Sequence, residues 1–256
     1  MFETLLAETE GAIGRLTLNR PEKLNPLSTK TLGELARAAR WFDERPEVKV
    51  VIVSGAGRSF SAGADLGSFG GPQEVSTREA ADMGREMADA LEAMRALSIA
   101  AIRGWCVGGG VVLAAACDLR LAAEDARFSI PEVDLGIPLA WGGIPRLVRE
   151  IGPALAKELV LTCRPFDAAE ARAAGFLNRV VPGDALDDAV LDLARSLASK
   201  ASHTLTSTKR HVNAVTAQMV GVMRSWSDAD GLVTAFSDPE CAAARKSYLE
   251  ARGRGR

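Results

Sequence analysis

The sequence predicts an α/β architecture of stacked ββα turns, closed by an all-helical C-terminal region. Three observations carry that expectation. Strand, turn and helix patterns alternate through roughly the first three quarters of the chain. Residues 48–53, VKVVIV, form a continuous β-branched run of the kind buried on both faces of a sheet. Beyond Pro182-Gly183-Asp184, from Ala185 onward, the pattern is almost wholly helical.

Taken in order, residues 13–18 alternate as a strand and end at Asn19-Arg20-Pro21. Ser28 or Thr29 can cap a helix through Leu32, Leu35, Ala36 and Ala39 toward Trp41-Phe42. The strand at 48–53 runs into a glycine-rich loop. Residues 68–77, with Gly70-Gly71-Pro72, read as a mobile surface loop. A helix at 77–97 places Met83, Met87, Ala90, Leu91 and Met94 on one side; core packing is the plain reading, an adaptable ligand wall the alternative. A short strand at 99–103 leads to the triplet Gly108-Gly109-Gly110 and a helical stretch at 111–117. Strands follow at 118–122 and 128–130, the second ending at Pro131-Glu132. Helices at 186–200, 206–223, 226–236 and 239–251 make up the tail. Their Met219, Val222, Met223, Trp226, Val233 and Phe236 are too apolar to stand in solvent, so the tail is expected to pack on its own body or on a neighbouring subunit. The final Arg252-Gly253-Arg254-Gly255-Arg256 reads as frayed.

Composition narrows the function classes. A chain of 256 residues can bury a large core, and 47% hydrophobic with 25% charged residues is ordinary for a globular protein. A net charge of −2 gives no global attraction to nucleic acid, so an anionic ligand has to be held by local basic residues. The histidines, His203 and His211, and the cysteines, Cys106, Cys117, Cys163 and Cys241, show no ligand-type spacing. No metal site is expected, and reduced, buried thiols point to a cytoplasmic protein. Met1-Phe2-Glu3-Thr4 lacks the basic and apolar regions of a signal peptide, and the longest apolar stretch, 107–116, is too short for a membrane span.

Two segments offer backbone donors. Residues 55–66 form the loop GAGRSFSAGADL, and residues 103–110 form RGWCVGGG ahead of a helix. Glycines at a helix start leave first-turn N–H groups unpaired at its mildly positive end. With a second N–H from the other loop they would make a two-donor cradle for an oxyanion. Gly55-Ala56-Gly57 lacks the further glycine and following helix of a dinucleotide fingerprint.

The ordered set Asn19-Arg20-Pro21, Ser59-Phe60-Ser61-Ala62-Gly63-Ala64-Asp65, Gly104-Trp105-Cys106-Val107-Gly108-Gly109-Gly110, Ala116-Cys117-Asp118, Phe128-Ser129-Ile130-Pro131-Glu132 and Gly142-Gly143-Ile144-Pro145-Arg146-Leu147 resembles the enoyl-CoA hydratase/isomerase (crotonase) superfamily. Residues 168–175 continue the resemblance, which covers nearly the whole chain. It implies a crotonase-like stacked ββα spiral with a helical C-terminal region. The acyl-CoA-binding core would occupy residues 1–184 and a trimerisation region residues 185–256, in a homotrimer or a hexamer built as a dimer of trimers. It implies an acyl-CoA thioester as substrate, with coenzyme A part of that substrate and no separate cofactor; the charge balance and the apolar pattern lead to the expectation of no nucleic acid and no membrane partner. The two oxyanion donors fall on the N–H groups of Ala64 and Gly109. Ala62, Ala64, Asp65 and Leu66 fall on the stretch that wraps coenzyme A. Lys23, with Arg20, Arg58 and Lys209, is a candidate for its phosphates. Glu132 falls on one of the hydratases' two catalytic glutamates, and Val112 on the other.

Valine cannot move a proton. One glutamate beside an oxyanion cradle fits a double-bond shift better than hydration, which two acids share comfortably. The expectation is therefore a single-glutamate enoyl-CoA isomerase. The alternatives are a hydratase with a non-standard second acid and, from another class, a non-catalytic acyl-CoA-binding protein. Asp134 and Asp118 read as structural hydrogen-bonding groups. Gly108 and Gly110 read equally well as tight packing, and Trp141 as pocket wall, core or interface.

Overall fold

The computed structural model describes residues 2–68, 75–221 and 228–253. The chain runs β1 (Leu5–Glu10), β2 (Ile13–Leu18), α1 (Thr29–Asp43), β3 (Val50–Gly55), α2 (Thr77–Ala93), β4 (Leu97–Ile102), β5 (Trp105–Val107), α3 (Gly109–Ala115), β6 (Leu119–Ala123), β7 (Arg127–Ser129), α4 (Gly143–Thr162), β8 (Phe166–Asp167), α5 (Ala168–Ala173), β9 (Arg179–Val181), α6 (Leu186–Ala198), α7 (Ser202–Met219), α8 (Asp228–Ser237) and α9 (Pro239–Gly253). A six-stranded sheet has the order β1-β2-β3-β4-β6-β9, and a three-stranded sheet the order β5-β7-β8. The first pair is an antiparallel hairpin; the other pairs of the large sheet are parallel. Successive strands β4 and β5, then β6 and β7, alternate between the two sheets, and a helix follows each pair. That alternation is the stacked ββα spiral.

The β-branched run explains why the large sheet is buried on both sides. Val51 and Val53 of β3 face one core with Leu16, Leu35, Phe42 and Met87. Val50 and Ile52 face a second core, covered by Leu186, Val190 and Ala194 of α6. Helix α1 is capped by Ser28, whose side chain accepts the N–H of Thr31, and α2 starts with a reciprocal Ser76–Glu79 capping box. Met87 and Met94 are fully buried, so core packing is their role.

Boundaries moved where one pattern ran into the next. The helix expected at 77–97 stops at Ala93, because Leu97 and Ser98 pair with Val50 and Val51 of β3. Strands β5 and β8 have three and two residues, too short to show a period. The tail folds back on its own body: Leu232 and Ala235 of α8 share a small core with Ala81 of α2, Leu135 and Ile137. The expected loop at 68–77 and the helix ends at 223 and 226 fall largely outside the described residues, as do Val222, Met223, Trp226 and Arg254 to Arg256.

Lys209 is not a phosphate contact. It is buried in α7, where its ammonium donates to Asp118 Oδ2 (2.8 Å) and to the Ala96 carbonyl (3.0 Å). Asp118 also accepts from the Ser98 N–H (2.7 Å) and hydroxyl (2.9 Å), so it ties α7 to β4. The sequence reading of Asp118 as structural holds; that of Lys209 fails because a lone lysine carries no signal of its burial. Lys209→Met strips the counter-ion from a largely buried carboxylate and should cost about 3 kcal/mol. A urea titration reads this as a lower midpoint with an unchanged slope; an unchanged midpoint would contradict the pairing.

Candidate active site

Two loops meet through backbone pairing. Ser61 bridges Cys106: the Ser61 N–H donates to the Trp105 carbonyl (3.1 Å), and the Val107 N–H to the Ser61 carbonyl (3.0 Å). Leu27 bridges Ala64 through the Gly63 carbonyl (2.8 Å) and the Asp65 N–H (3.2 Å). In such a bridge the flanking groups make the bonds, so the N–H of Ala64 points away from Leu27. Gly109 opens α3, where no preceding turn supplies an acceptor. Among the described residues no acceptor takes the N–H of Ala64 or of Gly109. Both residues line one cavity of about 300 Å³, with Val112, Glu132 and Trp141.

Glu132 lies just beyond β7, where the 131–137 turn carries it under the glycine triplet; the Ile137 N–H donates to its carbonyl (2.9 Å). A β-carbon at Gly108 would stand 2.3 Å from Glu132 Oε1, and Gly108 has φ +48°. Only glycine fits both conditions. Glu132 is buried, and among the described residues its Oε2 has no hydrogen-bond partner. Burial pushes its carboxyl up to about 7, against a slight downward pull from its own backbone N–H. Val112 is fully buried and its side chain packs where Gly143 leaves room; a β-carbon at Gly143 would stand 2.9 Å from it. The cavity therefore presents two free backbone donors, a carboxyl whose proton affinity is raised to about 7, and the aliphatic side chain of Val112. Such a site can stabilise negative charge on an oxygen while a proton moves at a nearby carbon.

The other sequence-expected residues are spread around this centre. Asp65 lines the cavity and is held by Arg20 (3.1 Å) and the Gly67 N–H (3.2 Å). Ala62 and Leu66 are half-buried on either side of the cavity residues Ala64 and Asp65. Lys23 is exposed in the loop whose Leu24 carbonyl accepts the Ala62 N–H (2.8 Å). Trp141 proves to be a cavity wall, its indole wedged against Gly84 and Gly109. Among the described residues no group of three or more His, Cys, Asp and Glu side chains is arranged to hold a metal, and no helix is long and apolar enough to cross a membrane.

Three positioning residues escaped sequence reasoning. Asn25, buried at φ +54°, donates to the carbonyls of Ala56 and Ser59 (2.9 Å each) and accepts the Arg20 N–H (2.9 Å), shaping the first loop. The Ser61 hydroxyl donates to the Asn25 carbonyl (2.8 Å) and accepts the Gly63 N–H (3.1 Å). Arg146, fully buried, pairs with Asp89 (2.8 Å) and Glu92 (2.7 Å) and donates to the carbonyls of Trp141 (3.4 Å) and Gly142 (3.3 Å). The signal for Asn25 is its place four residues after Pro21, in a turn where Leu24 and Asn25 both take positive φ.

Comparison with known proteins agrees with this geometry. Residues 8–254 match the family model described as enoyl-CoA hydratase/isomerase. A probable enoyl-CoA hydratase of Mycobacterium bovis is 39% identical over 220 residues, covering 82% of this chain and 79% of its own. A peroxisomal Delta(3,5)-Delta(2,4)-dienoyl-CoA isomerase of Arabidopsis thaliana is 38% identical over 224 residues, covering 81% and 80%. The crystal structure of an enoyl-CoA hydratase from Mycobacterium avium subsp. paratuberculosis superposes with TM-score 0.86 at 28% identity, covering 95% of this chain and 98% of its own.

A buried carboxyl with a raised proton affinity leaves a trace in stability. Its folded value of about 7 lies above the ordinary 4.5, so stability present below pH 4.5 is lost as the pH rises through 7. Glu132→Gln removes that loss. The variant should gain on the parent by roughly 3 kcal/mol between pH 4.5 and pH 8, read from urea midpoints at each pH. A difference that does not change with pH would contradict the desolvated state of Glu132.

Proposed function

The chain belongs to the enoyl-CoA hydratase/isomerase family, and we propose that within it this acyl-CoA enzyme is a single-glutamate enoyl-CoA isomerase. Glu132 carries the reading: it is a buried carboxylate with an unpartnered oxygen in the cavity, while Asp65 is engaged by Arg20 and position 112 is valine.

The substrate is a 3-enoyl-CoA thioester whose carbonyl oxygen sits between the N–H groups of Ala64 and Gly109. Ionised Glu132 takes a proton from C2, and the electron pair moves onto the thioester oxygen as a dienolate, stabilised by the two donors. Glu132 then returns the proton at C4, the double bond lies between C2 and C3, and the carboxylate is regenerated. No water is consumed. Ala62, Asp65 and Leu66 are assigned to the coenzyme A portion, with Lys23 toward its phosphates, and coenzyme A enters only as part of the substrate. The exposed Val212, Val215 and Met219 share one face of α7 and support assembly as a homotrimer or a dimer of trimers. Four free cysteines, three of them buried, fit a reducing, cytoplasmic setting.

A hydratase is the second reading, favoured by the name of the Mycobacterium bovis relative. It needs a proton carrier besides Glu132 or a water that takes over its part.

Incubation with 3-enoyl-CoA and with 2-enoyl-CoA separates these readings. Isomerisation changes absorbance at constant mass; hydration adds the mass of one water; saturable binding without either change marks a non-catalytic binder. The expected outcome is isomerisation, with kcat/KM rising through pH 7 to a plateau as Glu132 ionises. Glu132→Gln should lower the rate by about 10²–10⁴-fold. Efficient hydration by the parent would overturn the single-glutamate reading.

A further inference from the structure

We infer that Trp141 sets the length of acyl chain the enzyme accepts, and that its substrates are short-chain acyl-CoA thioesters. The inference rests on the reading of the cavity as the acyl-CoA site.

The indole occupies the space between α2 and the start of α3. A β-carbon at Gly84 of α2 would stand 2.2 Å from Trp141 Cγ, and one at Gly109 would stand 2.2 Å from Trp141 Cζ3. Both approaches need glycine, so the ring spans from one helix to the other. Gly109 supplies the proposed oxyanion donor. A chain leaving the thioester and running between α2 and α3 therefore meets the indole at once. The space that remains is about 300 Å³, at the small end of ligand cavities. Leu232 and Phe236 of α8 form another wall, and the Arg245 guanidinium lies 4.4 Å from the centre of the Phe236 ring.

Trp141 is also fixed in place. Its φ is +62°, a left-handed conformation that bulky residues avoid unless the surroundings impose it. Its carbonyl accepts from the fully buried Arg146, which Asp89 and Glu92 hold. The next N–H, of Gly142, donates to Asp228 Oδ2 (2.7 Å) at the start of α8. The turn is thus clamped from the core and from the C-terminal region together. A methionine in this place would yield to a longer chain; an indole clamped at its backbone and flanked by two helices does not. Trp141 is half-buried, unlike Phe42, Phe60 and Phe128, which are fully enclosed. Its open side borders the cavity, which marks it as a wall of the site in addition to packing between the helices.

Saturated butyryl-, hexanoyl-, octanoyl- and decanoyl-CoA test the assignment without turnover. Their Kd values would be measured by calorimetry on the wild type, Trp141→Ala and Trp141→Phe, with circular-dichroism melts to establish folding. The wild type should bind butyryl- or hexanoyl-CoA best and lose roughly tenfold or more by decanoyl-CoA. Trp141→Ala should shift the optimum to longer chains, raising the decanoyl-to-butyryl affinity ratio by roughly tenfold or more. Trp141→Phe, the smaller change, should move the ratio the same way by less, and decides the matter if the alanine variant does not fold. Folded variants that keep the wild-type ranking overturn the inference and leave the acyl-CoA site standing, as does a wild type that binds all four chains alike. A wild type that binds none of them overturns both.

Discussion

Three consecutive glycines, 108 to 110, are the constraint on which the site depends, because each is pressed against a different segment. A β-carbon would meet the Glu132 carboxyl from Gly108, the Trp141 indole from Gly109, and the Ser61 side chain, at 2.9 Å, from Gly110. One short stretch of bare backbone thus brings together the Glu132 carboxyl, the Trp141 wall of the cavity and the loop that carries Ala64. Side chains at these positions would force the three segments apart. The triplet can come so close because its flanks are anchored: Val107 pairs with Ser61, and the Gly108 N–H donates to the Ser129 carbonyl (2.8 Å).

The same closeness buries Glu132, and this is where stability and chemistry oppose each other. A carboxylate in a partly apolar cavity with an unpartnered oxygen is a cost to folding. Its proton affinity rises to the range in which it can both take and return a proton at neutral pH. The large double-faced core around β3 can carry such a cost. Other buried charges form structural ion pairs, Lys209 with Asp118 and Arg146 with Asp89 and Glu92, while one guanidinium nitrogen of Arg245 is, like Glu132 Oε2, buried without a hydrogen-bond partner among the described residues. Glu132 differs from those ion pairs, and it lies at the same cavity as the N–H groups of Ala64 and Gly109.

Much of this was legible in the sequence. The β-branched run, the helical tail and the ordered glycine motifs identify the fold, because each reports a local backbone requirement that one residue type satisfies. Glu132, Ala64, Gly109 and Val112 were legible by their places in that order, and they gather at one cavity. What stayed hidden depends on long-range contact. Strands β5 and β8 exist through pairing with β7 and have no period of their own. Lys209 looks like any surface lysine until α7 covers it. Trp141 could not be placed because a positive φ at a tryptophan is imposed by Arg146 and Asp228, which lie 5 and 87 positions further along the chain. Asn25 does its work through the carbonyls of residues 56 and 59, which no local pattern announces.

The proposed isomerisation depends on Glu132 alone moving the C2 proton of a thioester held by Ala64 and Gly109. The most direct measurement is exchange of the C2 hydrogens of butyryl-CoA in deuterated water, followed by proton NMR, because it isolates proton abstraction from any later step. The wild type should wash deuterium into C2, and Glu132→Gln should bind the same ligand with little change in Kd but exchange no faster than solvent alone. Exchange at the wild-type rate in Glu132→Gln would rule out Glu132 as the proton carrier and place that role elsewhere in the cavity.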